Sequence, residues 1–213
     1  MTSATAPGSM ATGASISLPQ GARRSHALDA MVQLLRQGDR LQILDLGGIN
    51  QPNLDFLTGL GHRLYAEDLL KAYELSMAAD SGGAADQVDI LLLTRFIEDA
   101  FPFKPGSVHA AVLWDTLQFL PEPAADAILD RLHFMLAPHG VLLAFFHPEN
   151  GLAKAAPQAC RILDGKHLAM QPRPGRYKAR AFNPRTIERF FQRFSSVKFY
   201  LTRENMQEVL VRR

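Results

Sequence analysis

Between residues 41 and 146 the chain alternates short apolar runs with segments of helical spacing, and this alternation leaves few folds open. LQILDL (41–46), HAAVLW (109–114) and GVLLAFF (140–146) are continuous apolar runs of strand length. Continuous runs suit strands covered on both faces, whereas a strand with one wet face would alternate. Between them, Leu54, Phe56, Leu57 and Leu60, then LLKAYELSMAAD (69–80), then EPAADAILDRLHFML (122–136) recur at helical spacing. HRLYAED (62–68) reads as a second strand, so the opening is a βαβ unit. Strands returned by helices predict a doubly wound, mostly parallel α/β sheet. VDILLLTRFIEDAF (88–101) stays open: the apolar run suits a strand, while Leu92, Leu93, Phe96 and Ile97 suit a helix face.

Both flanks have their own signals. Ser25 is a good N-cap for a helix carrying Leu28, Met31, Val32, Leu34 and Leu35. Residues 1–24, rich in Ser, Thr, Ala and Gly at their start, read as a disordered leader without the basic and apolar regions of a signal peptide. At the other end, Asp-Gly in CRILDGKHLAM (160–170) predicts a hairpin. Asn183 caps a helix with Pro184 in its first position. SVKFYLTRENMQEVLVRR reads as two strands forming an antiparallel hairpin at the sheet edge. With 213 residues and 47% apolar content, residues 25–213 are expected to form one domain, with 148–182 as a basic lid or insertion.

Cys160 is the only cysteine, which excludes an internal disulfide and makes a reducing, cytoplasmic compartment the expected home. No apolar run approaches the roughly 18 residues of a membrane helix. The net charge of +2 conceals a split: residues 1–150 hold 9 Lys/Arg against 17 Asp/Glu, and residues 151–213 hold 14 against 4. The last third is therefore a candidate surface for an anionic partner, with Arg173, Arg176, Lys178 and Arg180 expected to be its most exposed cations and Tyr177 available for stacking. A solvated face is the alternative reading. No nucleic-acid-binding motif accompanies the charge, so nucleic acid is not supported as a partner.

LQILDLGG, DTLQFLP and LHFMLAPHGVLLAFF, with the terminal hairpin, resemble the class I S-adenosylmethionine-dependent methyltransferases, and in detail an uncharacterised bacterial group of the type 11 kind. The resemblance runs from about Leu41 to Phe146. It implies a Rossmann-like fold, S-adenosylmethionine as cofactor, and a methyl acceptor that is a small molecule, anionic if the basic lid reads it. It further implies Asp45, Gly47, Gly48 and Ile49 around the methionine end of the cofactor, with Asp68 on the ribose. Asp68 lies 21 residues after Gly47, near the roughly 20 expected of a ribose carboxylate, with Glu67 as the alternative. Glu98 or Asp99 would stand near the adenine.

The glycine loop then departs from the family. A G-x-G-x-G pattern would fall on Gly47, Gly48, Ile49, Asn50 and Gln51, so only its first glycine is matched. Ile49 and Gln51 are expected to turn side chains into cofactor space, and Asn50 or Gln51 to cap the helix begun by Pro52. Gln118 and Phe119 replace the family's frequent Glu-His. The loop either follows another path around the same ligand or no longer binds it.

Ligands of open parallel sheets lie beyond the carboxyl ends of the strands, which nominates Asp45, Asp68, Trp114, Asp115 and His147. Each has a structural reading: Asp45 bonding the following turn, Trp114 in the core, Asp115 capping a helix. His147 is the best placed candidate base, with an ordinary turn histidine as its alternative, and Asp115 is the other candidate for the chemistry. His26, His62, His109, His133, His139 and His167 have no metal-ligand spacing, so no metal is expected. Three functions follow: a methyltransferase, a binding protein with a decayed cofactor site acting through its basic surface, and a domain for another nucleotide. The missing glycines disfavour the third, because a pyrophosphate needs close backbone approach.

Overall fold

The computed structural model describes residues 18–19, 21–78, 88–175, 177–202 and 206–213. Most of the expected leader, the linker 81–87 and Arg176 lie outside them. In chain order the elements are β1 (Ala22–Arg24), α1 (His26–Leu35), β2 (Gln42–Asp45), α2 (Gln51–Gly59), β3 (Arg63–Ala66), α3 (Leu69–Ala78), α4 (Ile90–Ala100), β4 (Val108–Trp114), α5 (Glu122–Met135), β5 (Leu136–Phe146), β6 (Gln158–Ile162), β7 (His167–Pro172), α6 (Pro184–Phe191), β8 (Ser196–Leu201) and β9 (Gln207–Arg212).

A six-stranded sheet runs in the order β3-β2-β4-β5-β9-β8. The first four strands are parallel, and the closing β8–β9 hairpin adds β9 antiparallel to β5. This is the doubly wound sheet that the alternation predicts. Ile43 pairs with Leu64 on one side and Ala110 on the other. One face, including Leu44, Ala111 and Leu142, is covered by α3, α4, α5 and α6. The other, including Ile43, Val112 and Leu143, is covered by α1, α2 and the β6–β7 hairpin. The continuous apolar runs are thus consumed on both sides of the sheet.

The ambiguous segment 88–101 is helical. Asp89 Oδ1 accepts the Leu91 and Leu92 N–H groups at 2.8 and 3.2 Å, starting α4, and Leu93 and Phe96 supply its buried stripe. A local cap and a stripe three residues apart decide against a strand. As a result β3 is the sheet's edge among the described residues.

The second difference is at the start. Ala22–Arg24, placed by the sequence in the disordered leader, add an edge strand to β7 in a small antiparallel sheet of order β1-β7-β6. The Asp-Gly hairpin leaves one side of β7 free, and backbone pairing there needs no apolar side chains, so composition gave no sign of it.

The charge split is partly closed within the molecule. Glu122, Asp126 and Asp130 recur every four residues on α5 and face Arg189 and Arg193 near α6. Arg193 Nη2 lies 2.9 Å from Asp126, its Nη1 pairs with Asp130, and Arg189 pairs with Glu122.

Ser25 caps α1 as expected, accepting the Leu28 N–H at 3.0 Å. A second acceptor there is less expected: Glu208, buried on β9, takes the Ala27 N–H at 2.9 Å. Burial pushes its carboxyl above the ordinary value, against the opposing pull of the helix amides. A folded-state pKa above the unfolded value of 4.5 means that Glu208 favours folding most at low pH and loses that contribution as pH rises through the raised value. The difference in Tm between Glu208→Gln and the parent should therefore move in favour of the variant as pH rises from about 4.5 towards neutrality. Thermal melts across that range check it, and a difference moving the other way would refute it.

Candidate active site

The strand order reverses at β2, which has β3 on one side and β4 on the other, so a crevice opens at the carboxyl ends of β2 and β4. Asp45 ends β2 and is buried. Its Oδ1 accepts the Trp114 indole N–H at 2.7 Å and the Gly47 N–H at 3.0 Å, and its Oδ2 accepts Asn53 Nδ2–H at 2.9 Å. Burial drives the Asp45 pKa up, and the three bonds oppose that shift. The turn-bonding reading of Asp45 is the one observed.

Gly47 is required by close approach. A Cβ there would overlap the indole Cδ1 and come within 2.8 Å of Nε1. Gly48 has φ 95°, donates to Glu67 O at 3.0 Å, and faces the Asp68 side chain. After these two residues the turn ends, because Asn50 is extended and caps α2 by accepting the Asn53 N–H. The two side chains that replace the family's glycines both lie on the outer surface of the turn. Ile49 is 87% exposed, and Gln51 bonds Asp55 on the helix surface. Pro52 offers no N–H and Asn53 has committed its own, so this helix start has little left for a phosphate.

The indole of Trp114 lies directly against the Gly47 turn. Trp114 is buried, has φ 50° and packs edge-on against Phe145 at 5.6 Å. A left-handed backbone is costly for a bulky residue and persists where surrounding contacts fix it, here the Asp45 bond and Phe145. Asn53, not singled out in the sequence, extends the network: its Nδ2 also donates to Cys160 O at 3.0 Å and its Oδ1 accepts the Ile162 N–H at 2.8 Å. No local signal marks it in the sequence, because these partners lie more than a hundred residues away.

On the next strands, Asp115 and His147 meet. His147 Nε2 lies 2.8 Å from Asp115 Oδ2, and both Asp115 oxygens also accept the Gln158 N–H. Asp115 is buried and makes no side-chain cap, so the helix-capping reading falls away. The His147 Nδ1 has no protein partner among the described residues. Gln118, noticed in the sequence only as a departure, brackets the His147 backbone: its Oε1 accepts the His147 N–H at 2.5 Å and its Nε2 donates to His147 O at 3.4 Å and to Arg180 O at 3.3 Å.

Asp68 follows β3 and pairs with Arg173 at the end of β7. Arg173 was expected to be exposed, but its side chain is only 14% accessible because that pair draws it inward. Glu98 is not part of the site. It sits on the exposed surface of α4, on a groove shared with Asp130 and Arg131, and Arg131 donates to Phe101 and Phe103 carbonyls on the approach to β4, at the opposite end of the sheet. The helical state of α4 removes the strand end on which an adenine carboxylate would have stood. No cluster of three or more His, Cys, Asp or Glu able to hold a metal occurs among the described residues. None of their helices is long and apolar enough to cross a membrane.

No family model matches the chain, and no curated protein does. Solved structures do match in fold. A SAM-dependent methyltransferase from Archaeoglobus fulgidus aligns with TM-score 0.51 and 8% identity over 87% of this chain and 93% of its own. An S-adenosylmethionine-dependent methyltransferase from Mesorhizobium loti aligns with TM-score 0.50 and 13% identity over 86% and 96%. At these identities the likeness shows the fold, that of the class I methyltransferases.

Gly47→Ala should cost on the order of 2–3 kcal/mol, the scale of overpacking in a filled site. The double variant Gly47→Ala/Trp114→Phe should lose less than the two single costs combined, because both act on one contact. Urea denaturation of the four proteins measures the coupling, and simple additivity would separate Gly47 from the indole.

Proposed function

We propose that the protein is an S-adenosylmethionine-dependent methyltransferase whose small-molecule acceptor gives up a proton to His147. The observation that carries this reading is the His147–Asp115 dyad at the carboxyl ends of β4 and β5. With Asp115 accepting from Nε2–H, the imidazole is held in the tautomer whose lone pair is on the unpartnered Nδ1, the arrangement a general base requires. Asp115 touches no substrate in this role: it orients the ring and stabilises its protonated form. Gln118 and Gln158 fix the histidine backbone and the aspartate.

The cofactor, when bound, supplies an electrophilic methyl group. The chain fits it unequally. Asp68 and the Gly48 backbone offer a carboxylate beside a surface with no Cβ, which suits ribose hydroxyls. Asp45 does not fit as a direct ligand, since both of its oxygens are engaged by protein donors. It supports the Gly47 turn and holds the Trp114 indole against it. The exposed Lys178, in the stretch between β7 and α6, is available to an anionic acceptor.

The saturation of Asp45 favours a second reading, a binding protein on the same fold whose cofactor site has decayed. Its proposed basic surface is weakened by the ion pairs that tie up Arg173, Arg189 and Arg193. Calorimetric titration with S-adenosylhomocysteine separates the two. The methyltransferase reading expects binding by the parent, weakened at least tenfold in Asp68→Ala; no binding by the folded parent or by a folded variant lacking the Arg173 guanidinium favours the second. The base assignment has its own check. Long-range proton–nitrogen spectra should find neutral His147 as the Nε2–H tautomer, and an Nδ1–H ring would remove it as the base.

A further inference from the structure

Arg173 reaches Asp68 across 105 residues of sequence, and the stretch that begins with it is fastened over the carboxyl ends of the strands. At its near end the Arg173 N–H donates to Pro157 O at 2.7 Å. Tyr177 stacks edge-on against Phe119 at 6.3 Å, and its hydroxyl donates to Glu74 at 3.4 Å. At the far end the Arg180 N–H donates to Gln118 O at 2.7 Å, and Phe182 is buried against Phe146 and Phe190. The strap thus spans from the carboxylate proposed for ribose to the glutamine that holds His147.

The two oxygens of Asp68 are both in use. Oδ1 accepts the Lys71 N–H at 3.2 Å, part of the start of α3, and Oδ2 takes the Arg173 guanidinium. A vicinal diol bound to a carboxylate donates to both of its oxygens. The Lys71 amide can share Oδ1, since a carboxylate oxygen has two lone pairs, but the guanidinium stands where the second hydroxyl would go. The pair is accessible enough to exchange, with 14% of the Arg173 and 27% of the Asp68 side chain exposed, unlike the sealed Asp45.

We propose that the Arg173–Asp68 ion pair is an autoinhibitory latch: in the free protein it occupies the ribose position, and a diol-bearing cofactor enters by displacing Arg173 and loosening the strap. The latch rests on the reading of Asp68 given above. It couples entry of the cofactor to rearrangement beside His147, because the far end of the strap is bonded to Gln118.

The test combines calorimetry with hydrogen exchange on the full chain, using S-adenosylhomocysteine as the probe, with the parent, Arg173→Met and Arg173→Lys. The latch expects Arg173→Met to bind at least tenfold more tightly than the parent and Arg173→Lys to fall between them. It further expects amides 177–182 to exchange faster in unliganded Arg173→Met, and faster in the parent when the ligand is added. Equal or weaker binding by Arg173→Met, or slower exchange at 177–182 in the liganded parent, would overturn the latch while leaving Asp68 as a ribose acceptor. If neither the parent nor folded Arg173 variants bind the probe, the reading of Asp68 fails and the latch fails with it.

Discussion

The buried carboxylate of Asp45 is the point on which the rest of the site depends. A carboxylate removed from water is costly unless its lone pairs are filled, and here the donors come from three separate elements. Gly47 contributes from the turn after β2, Asn53 from α2, and Trp114 from the end of β4. Satisfying one group therefore fixes the turn, the helix start and the indole together. Asn53 passes the constraint on to Cys160 and Ile162, so the small sheet is tied to the same carboxylate. The positive φ of Trp114 and the absence of a side chain at Gly47 are two consequences of bringing an indole N–H to one oxygen.

Electrostatics ties the end of the chain to its beginning. An acidic first part and a basic last part suggest an external partner when they are read as sequence, yet Arg173, Arg189 and Arg193 of the last third find carboxylates in the first part. Two of those partnerships join α5 to the α6 region, and the Arg189–Glu122 pair and the carboxylates facing Arg193 are exposed, so they contribute modestly and are screened by salt. The third, between Arg173 and Asp68, is more enclosed and lies at a site. The same charge split thus does two jobs: it docks a helix and it fastens the stretch after β7 to the residue that follows β3.

The frame of the fold was legible because continuous apolar runs, helical spacing, an Asp-Gly hairpin and two side-chain caps are local signals of local structure. Segment 88–101 resisted because its apolar run satisfies both periodicities, and one hydrogen-bonding aspartate, Asp89, broke the tie. β1 was illegible because edge pairing is made by backbone and leaves no mark in composition. At the site, position along the strands brought Asp45, Trp114, Asp115 and His147 to one crevice, since strand ends are visible in sequence. Asn53, Gln118 and Arg173 were not recognised in their roles, because each bonds a residue tens of positions away. Glu98 was misplaced for the same reason that α4 was ambiguous.

The two ends of the crevice differ in a way that bears on what it can bind. At Asp45 every donor is a protein group held by packing, and exchanging one for a ligand would leave a buried indole N–H or amide unsatisfied. At Asp68 the competing donor is a flexible guanidinium at a partly wet position, which can find water or another anion when displaced. Recognition at the first end would disturb the fold, whereas recognition at the second requires only that a side chain move. The Asp45 end is therefore architecture, and under the proposed function selectivity for a ligand rests on Asp68, the Gly48 backbone and the strap.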